Sequence, residues 1–282
     1  MEQDNDIAVQ EEDRHAEPPA SGLGVRFDHV DLWFRGSKRR QSVHALSDVS
    51  FAVADQEFCA IVGPSGCGKS TLLNLACGLR PATAGSIYVN QAPVRGLVSD
   101  MGYATQDSNL LPWLTVEDNI RLPLQIRGMP AREQDALVER WIGLVGLDGF
   151  GQSYPRQLSG GMQKRCSIAR TLVYDPPILL MDEPFGALDA MTKAVMQDAL
   201  LKLWYEHPKT VLFVTHDLSE ALTLADKIVV ITSRPGRVRA VVPVNIPRPR
   251  DVFHASELPE FAQQHRALWD MFAAEISEGG PE

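Results

Sequence analysis

The chain has 282 residues, 44% of them hydrophobic and 22% charged, with a formal net charge of −9; that is enough for one large domain or two small ones with a substantial core. The acidic balance argues against general nucleic-acid binding, which needs basic surface to displace counterions. No apolar stretch approaches the ~20 residues of a membrane span, and the acidic start Met1-Glu2-Gln3-Asp4 is unlike a secretory signal, so a chain that stays in the cytoplasm is expected.

Met1 to Gly24, rich in acidic residues, Pro and Ala, carries no periodic apolar pattern and predicts a disordered tail. Strand-like runs follow at Val25 to Phe34, Val49 to Val53, Phe58 to Val62 and Ser86 to Val89, broken by polar stretches at 36–40 and 54–57. Between the third run and a helix starting at Ser70 lies Gly63-Pro64-Ser65-Gly66-Cys67-Gly68-Lys69-Ser70, a glycine, four residues and Gly-Lys-Ser. Glycines there let successive amides converge on phosphate oxygens at the positive end of a helix. Lys69 would reach the β- and γ-phosphates and the Ser70 hydroxyl would coordinate Mg2+; Thr71 completes this candidate nucleotide-binding set. A glycine-rich turn before an ordinary helix is the plain alternative.

From Leu110 to Gln157 the texture is helical, with Glu117 to Gly128 and Ala131 to Val145 separated by Met129-Pro130. Leu158-Ser159-Gly160-Gly161-Met162-Gln163 then opens another helix, either as a second anion site or simply with Ser159 as its N-cap. Ile178 to Met181 is an apolar strand ending in Asp182 and Glu183. At a strand's carboxyl end, Asp182 would hold Mg2+ and Glu183 would orient and polarise an attacking water; a solvated turn gives the same letters. Val211 to Thr215 delivers His216 to another strand end, although a lone histidine is more often structural. Ile228 to Ile231 is a further strand, followed by Ser233-Arg234-Pro235-Gly236-Arg237, where Pro-Gly reads as the centre of a turn between strands. These runs alternate with helices, which implies an α/β fold with parallel strands and right-handed crossovers.

From Glu257 to Ile276, the residues Leu258, Phe261, His265, Leu268, Trp269 and Phe272 recur at spacings of three and four, an amphipathic helix whose acidic polar face favours packing on its own domain over membrane contact. No regulatory domain is expected after it. Cysteines 59, 67, 77 and 166 lack metal-ligand spacing and are expected to be reduced structural thiols.

In order, and over roughly Val25 to Val244, the chain resembles the ATP-binding subunits of ABC transporters. Gly63 to Ser70 matches the Walker A loop, Gln106 the Q-loop glutamine and Leu158 to Gln163 the signature motif. Ile178 to Asp182 matches Walker B, Glu183 the catalytic glutamate, Ala187-Leu188-Asp189 the D-loop and His216 the switch histidine. Phe34 aligns with the aromatic that stacks on adenine, with Trp33 beside it as a rival. The signature has Met162-Gln163 where the commonest family form has Gln directly after the glycines.

The resemblance implies a P-loop NTPase with a mixed sheet core, an antiparallel β subdomain and an inserted helical subdomain at about 107–157. The ATP-binding domain would span 25–245, with an extension over 246–282. It implies ATP as substrate, Mg2+ held by Ser70, Gln106 and Asp182, and a homodimer in which each ATP lies between one chain's Walker A, Walker B, Gln106 and His216 and the other's Ser159, Gly160 and Gly161. Asp189 belongs to the same nucleotide-binding set. Integral membrane permease subunits would dock at Asn109 to Val116, where the alternative is that Leu110, Leu111 and Trp113 fill the subdomain's own core; such docking would link the chain indirectly to a periplasmic or extracellular solute-binding protein and hold it at the cytoplasmic face of the inner membrane. The segments Leu111 to Val116 and Ser233 to Arg237 are similar to the nitrate/sulfonate/taurine importer branch. An exporter or a non-transport machine is the alternative, although neither a long coiled-coil insertion nor a second cassette is present; a nucleotide kinase would not need Ser159-Gly160-Gly161.

Overall fold

A computed structural model describes residues 22–36 and 42–278; the expected tail over 1–24 and the 36–40 stretch lie mainly outside these. Strand β1 (Leu23–Phe34) pairs antiparallel with β2 (Val43–Ala54), and β3 (Phe58–Val62) leads into helix α1 (Lys69–Ala76). Next come β4 (Ala84–Val89), β5 (Ala92–Pro93) and β6 (Met101–Ala104), then helices α2 (Val116–Ile126), α3 (Ala131–Leu144) and α4 (Gly160–Leu172). The remainder alternates as β7 (Ile178–Asp182), α5 (Ala190–Glu206), β8 (Thr210–Val214), α6 (Leu218–Leu224), β9 (Lys227–Ile231) and β10 (Val238–Pro243), and closes with α7 (Pro259–Glu278).

Two sheets result: an antiparallel one in the order β2-β1-β4-β5, and a mixed one in the order β10-β9-β3-β8-β7-β6. In the second sheet, pairings from β9 through β6 are parallel and only β10 runs antiparallel, to β9. Every residue of β3, β7 and β8 is buried, as apolar runs covered on both faces require. Alternate residues serve different cores: Phe58, Ala60 and Val62 join α2 to α6, whereas Cys59 and Ile61 pack against α1 and the antiparallel sheet, the period of two that a strand imposes. All four cysteines are free and buried.

Strands β2 and β6 and helix α7 differ from the sequence expectation. Strand β2 begins six residues before the predicted Val49; register shifts against β1 and a left-handed Asp48 at φ +51° erase the alternation that would mark its first half. Strand β6 is only four residues long and contains Gly102, so it has little local signal; parallel pairing with β7 creates it. In α7, Phe261 and Leu268 are buried as expected, but Leu258 precedes the helix and Trp269, off the buried stripe, is 55% exposed.

Segment 244–250 fastens the end of α6 to the rest of the chain. Buried Arg250 donates to the carbonyls of Leu222, Thr223, Ala225 and Ile246, and Arg248 pairs with Asp226 while lying over Trp204. Among the described residues no helix is long and apolar enough to cross a membrane.

Candidate active site

The sheet order makes β3, β8, β7 and β6 neighbours with parallel direction, so their carboxyl ends open on one edge. Ligands bind at that edge in such sheets, where the strand order reverses relative to the chain. From these ends issue, side by side, the loop 63–68, His216, the pair Asp182-Glu183, and Gln106. The predicted phosphate, metal and hydrolytic residues are thus brought together from four separate parts of the chain.

The loop 63–68 is held from beneath. Gly68, the N-cap of α1, sits at φ +105° with Leu46 packed so closely that a Cβ would stand 2.7 Å from its methyl, so glycine is required. Lys69 is buried and its ammonium donates to Gly63 O at 2.8 Å and Pro64 O at 3.0 Å, which tethers the cation to the loop. Pro64 is half-buried, Ser65 and Gly66 are exposed, and Ser70 and Thr71 are half-buried on the first turn of α1. Cys67 is 1% exposed, and burial pushes its thiol pKa above the ordinary value despite the nearby Lys69.

Asp182 is 4% exposed, with its pKa raised chiefly by desolvation against the opposing influence of the nearby Ser70 hydroxyl. Its Oδ1 is buried without a hydrogen-bond partner. A buried carboxylate oxygen left unpaired next to a hydroxyl is a donor set that suits a hard divalent cation, so the residues fit Mg2+. Gln106 is exposed just beyond β6. Glu183 adopts φ +43°, a left-handed conformation that costs on the order of 1 kcal/mol in a non-glycine residue. That turn places its Oε2 3.2 Å from His216 Nδ1, with the carboxylate 21% and the imidazole 61% exposed.

Ser159, Gly160 and Gly161 lie at the head of α4, with the first two exposed. Ser159 Oγ accepts the Met162 amide at 3.3 Å, so the N-cap reading holds, and Gly161 faces Leu188 and Ala187. Asp189 caps α5 by accepting the Thr192 amide at 3.0 Å, which holds its carboxyl below the usual range. Phe34 and Trp33 alternate along β1. Phe34 shares the parity of buried Val30 and Leu32 and packs on the core that includes α1, with the Arg80 guanidinium 4.7 Å over its ring. Trp33 faces the other way and stacks on His44 at 4.0 Å. In the 109–116 segment Trp113 is 68% exposed, while Leu110 and Leu111 are half-buried.

Sequence reasoning passed over two supports of this site. Lys164, 2% exposed on α4, donates to Thr105 O at 2.7 Å and Gln106 O at 2.8 Å. Burial lowers its pKa, opposed by Asp182, Asp107 and Glu183. A lysine four residues before buried Ile168 on one helical stripe was the available signal. Arg234, read as part of a turn and of a segment similar to one importer branch but not as a support of this site, donates to Gly66 O at 3.0 Å. The following Gly236 lies so close to the phosphate loop that a Cβ would stand 2.2 Å from Cys67 O, and it bonds Ala45 and Ser47 through its backbone. The turn is therefore a prop for the loop, which local sequence rules do not reveal.

The ABC transporter family model matches residues 46–186, half of the 282 residues, and includes the phosphate loop, the 158–163 segment and Asp182-Glu183. The chain belongs to the ABC transporter family. As an ABC protein it is an ATP-binding cassette whose ATP hydrolysis is coupled to transport. It is 47% identical over 209 residues to an uncharacterized ABC transporter ATP-binding protein of Methanocaldococcus jannaschii, covering 74% of this chain and 78% of that one. Over 226 residues it is 45% identical to a putative ATP-binding protein of Brucella abortus, covering 80% and 86%. It is 41% identical over 228 residues to the aliphatic sulfonates import ATP-binding protein SsuB of Bacillus cereus, covering 81% and 89%. Among solved structures, the dimeric post-hydrolysis state of the ATP-binding cassette MJ0796 bound to ADP and Pi superposes with a TM-score of 0.71 at 32% identity, covering 78% of this chain and 99% of that one.

Proposed function

We propose that this cassette powers import of a small anionic solute of the nitrate, sulfonate or taurine kind, as a homodimer bound to separate permease subunits at the cytoplasmic face of the inner membrane. A solute-binding protein would deliver cargo to those permeases from outside. The similarity to sulfonate-import cassettes supports the solute class, and exposed Trp113 beside half-buried Leu110 and Leu111 offers the apolar surface that a permease segment needs. In this reading residues 25–245 form the ATP-binding domain, with a helical subdomain at about 107–157 and an extension over 246–282.

The observation that carries the catalytic reading is the Glu183–His216 contact at 3.2 Å beside the phosphate loop. Loop amides and the Lys69 ammonium bind the phosphates, and Phe34, on the α1 side of β1, stacks on adenine. Ser70, Gln106 and Asp182 would hold Mg2+, which supplies neutralising charge to the β- and γ-phosphate oxygens when bound. Glu183 accepts a proton from the attacking water, whose oxygen forms the new bond to the γ-phosphorus as the bond to the bridging oxygen breaks and its electron pair leaves with ADP. With Nδ1 turned to Glu183, His216 keeps Nε2 for a γ-phosphate oxygen. Ser159, Gly160 and Gly161 of a second copy complete the pocket, because their exposed helix N-terminus is an anion-seeking surface.

Glu183→Gln is expected to keep ATP affinity while losing at least about 100-fold in turnover; parental turnover would remove Glu183 from the mechanism. Sulfonate-stimulated hydrolysis in vesicles that hold the permease and receptor tests the solute class, and stimulation by cations or sugars alone would reject it.

A further inference from the structure

Exposed His216 is held in place by the residues on either side of it. Thr215 Oγ1 accepts the Asp217 amide at 3.0 Å and donates to Glu220 Oε2 at 2.6 Å. Asp217 Oδ1 accepts the Ser219 and Glu220 amides at the start of α6. Glu220 is 5% exposed, so its carboxylate depends on protein partners rather than water. The second of these is Lys193 of α5, whose ammonium lies 2.9 Å from Glu220 Oε1 and 3.4 Å from Asp217 Oδ2. Burial works against that ammonium, yet the Glu220 and Asp217 contacts hold its pKa above the ordinary lysine value.

Lys193 also belongs to the first turn of α5. Its amide donates to Asp189 O at 2.8 Å, and the Asp189 side chain caps the same turn. A continuous set of hydrogen bonds and ion pairs therefore runs from Asp189, through Lys193 and Glu220, to the backbone on both sides of His216, and from His216 to Glu183. In a poorly hydrated setting such a pair is stiff and costly to break on one side only.

We infer that Lys193 and Glu220 are positioning residues that join the head of α5 to the turn carrying His216, so that a displacement of the 187–189 segment moves the imidazole relative to Glu183. This inference rests on the reading of Glu183 and His216 as hydrolytic groups. Lys193 and Glu220 act through His216 and are not assigned to the nucleotide.

The test is steady-state ATP hydrolysis and ATP binding by the full-length chain as Lys193→Met, Lys193→Arg and the double variant Lys193→Met/Glu220→Gln. The double variant removes both charges and leaves no buried carboxylate facing an apolar partner. Lys193→Met and the double variant are expected to lose at least about tenfold in kcat with KM for ATP unchanged, while Lys193→Arg keeps most of the activity and all three bind ATP as the parent does. A parental kcat in the double variant overturns the inference, as does a loss carried by KM, a loss of ATP binding, or Lys193→Arg falling as far as Lys193→Met. Glu183→Gln assayed alongside separates the two levels. Unimpaired turnover there rejects the hydrolytic site itself, whereas an inactive Glu183→Gln beside a fully active double variant rejects only the strut.

Discussion

Cys67 stands in the middle of the phosphate loop and points inward, where a Cβ at Gly63 would meet its Sγ at 2.8 Å. Burial raises its thiol pKa, so it is a packing residue rather than a nucleophile. The two aromatic residues at the end of β1 are a sharper question, because they are adjacent in sequence and only one can face the nucleotide. Strand parity places Phe34 on the side of α1 and turns Trp33 toward His44. Phe34→Ala is therefore expected to weaken ATP binding about tenfold, the loss appropriate to a base–aromatic stack worth ~1–3 kcal/mol, and Trp33→Ala to change it little. Titration of both variants with a fluorescent ATP analogue checks this, and the reverse order would move the adenine site to Trp33.

Among the elements, α6 follows directly after His216 and has only seven residues, too short to hold itself. Arg250 supplies what it lacks by taking the carbonyls of Leu222, Thr223 and Ala225 at the helix end. Burial, with Arg248 adding to it, brings the Arg250 pKa down to about 10, so the group stays charged at neutral pH. Arg250→Met would leave buried carbonyls unpaired and is expected to cost about 3 kcal/mol, a fall of about 5–10 °C in melting temperature. An unchanged melting temperature would show that the carbonyls find other partners. This clamp could not be read from the sequence, since an arginine seven residues before an expected surface helix carries no pattern. By contrast β3, β7 and β8 were readable as uninterrupted apolar runs, and each ends in the chemistry it delivers. The site was legible where a motif and a strand end coincide, as at Lys69, Asp182 and His216. It was not legible where support comes from distant residues such as Lys164 and Arg234, because only the tertiary fold brings them near.

For the whole molecule, one edge of the mixed sheet presents Lys69, Asp182, Glu183 and His216, while the exposed head of α4 presents Ser159 and Gly160. Buried Lys164 links α4 to the Gln106 segment, and so ties the segment proposed to meet the permease to the surface proposed to meet the partner's nucleotide. In the proposed function, ATP bound between two copies would favour the closed pair, and hydrolysis would remove that preference. The most direct test is the mass in solution of Glu183→Gln with saturating ATP and Mg2+, measured by light scattering or sedimentation. A particle of about twice the 31.1 kDa chain mass is expected, returning to single chains when ADP replaces ATP. A variant that binds ATP yet remains a single chain, even with its permease present, would contradict the account.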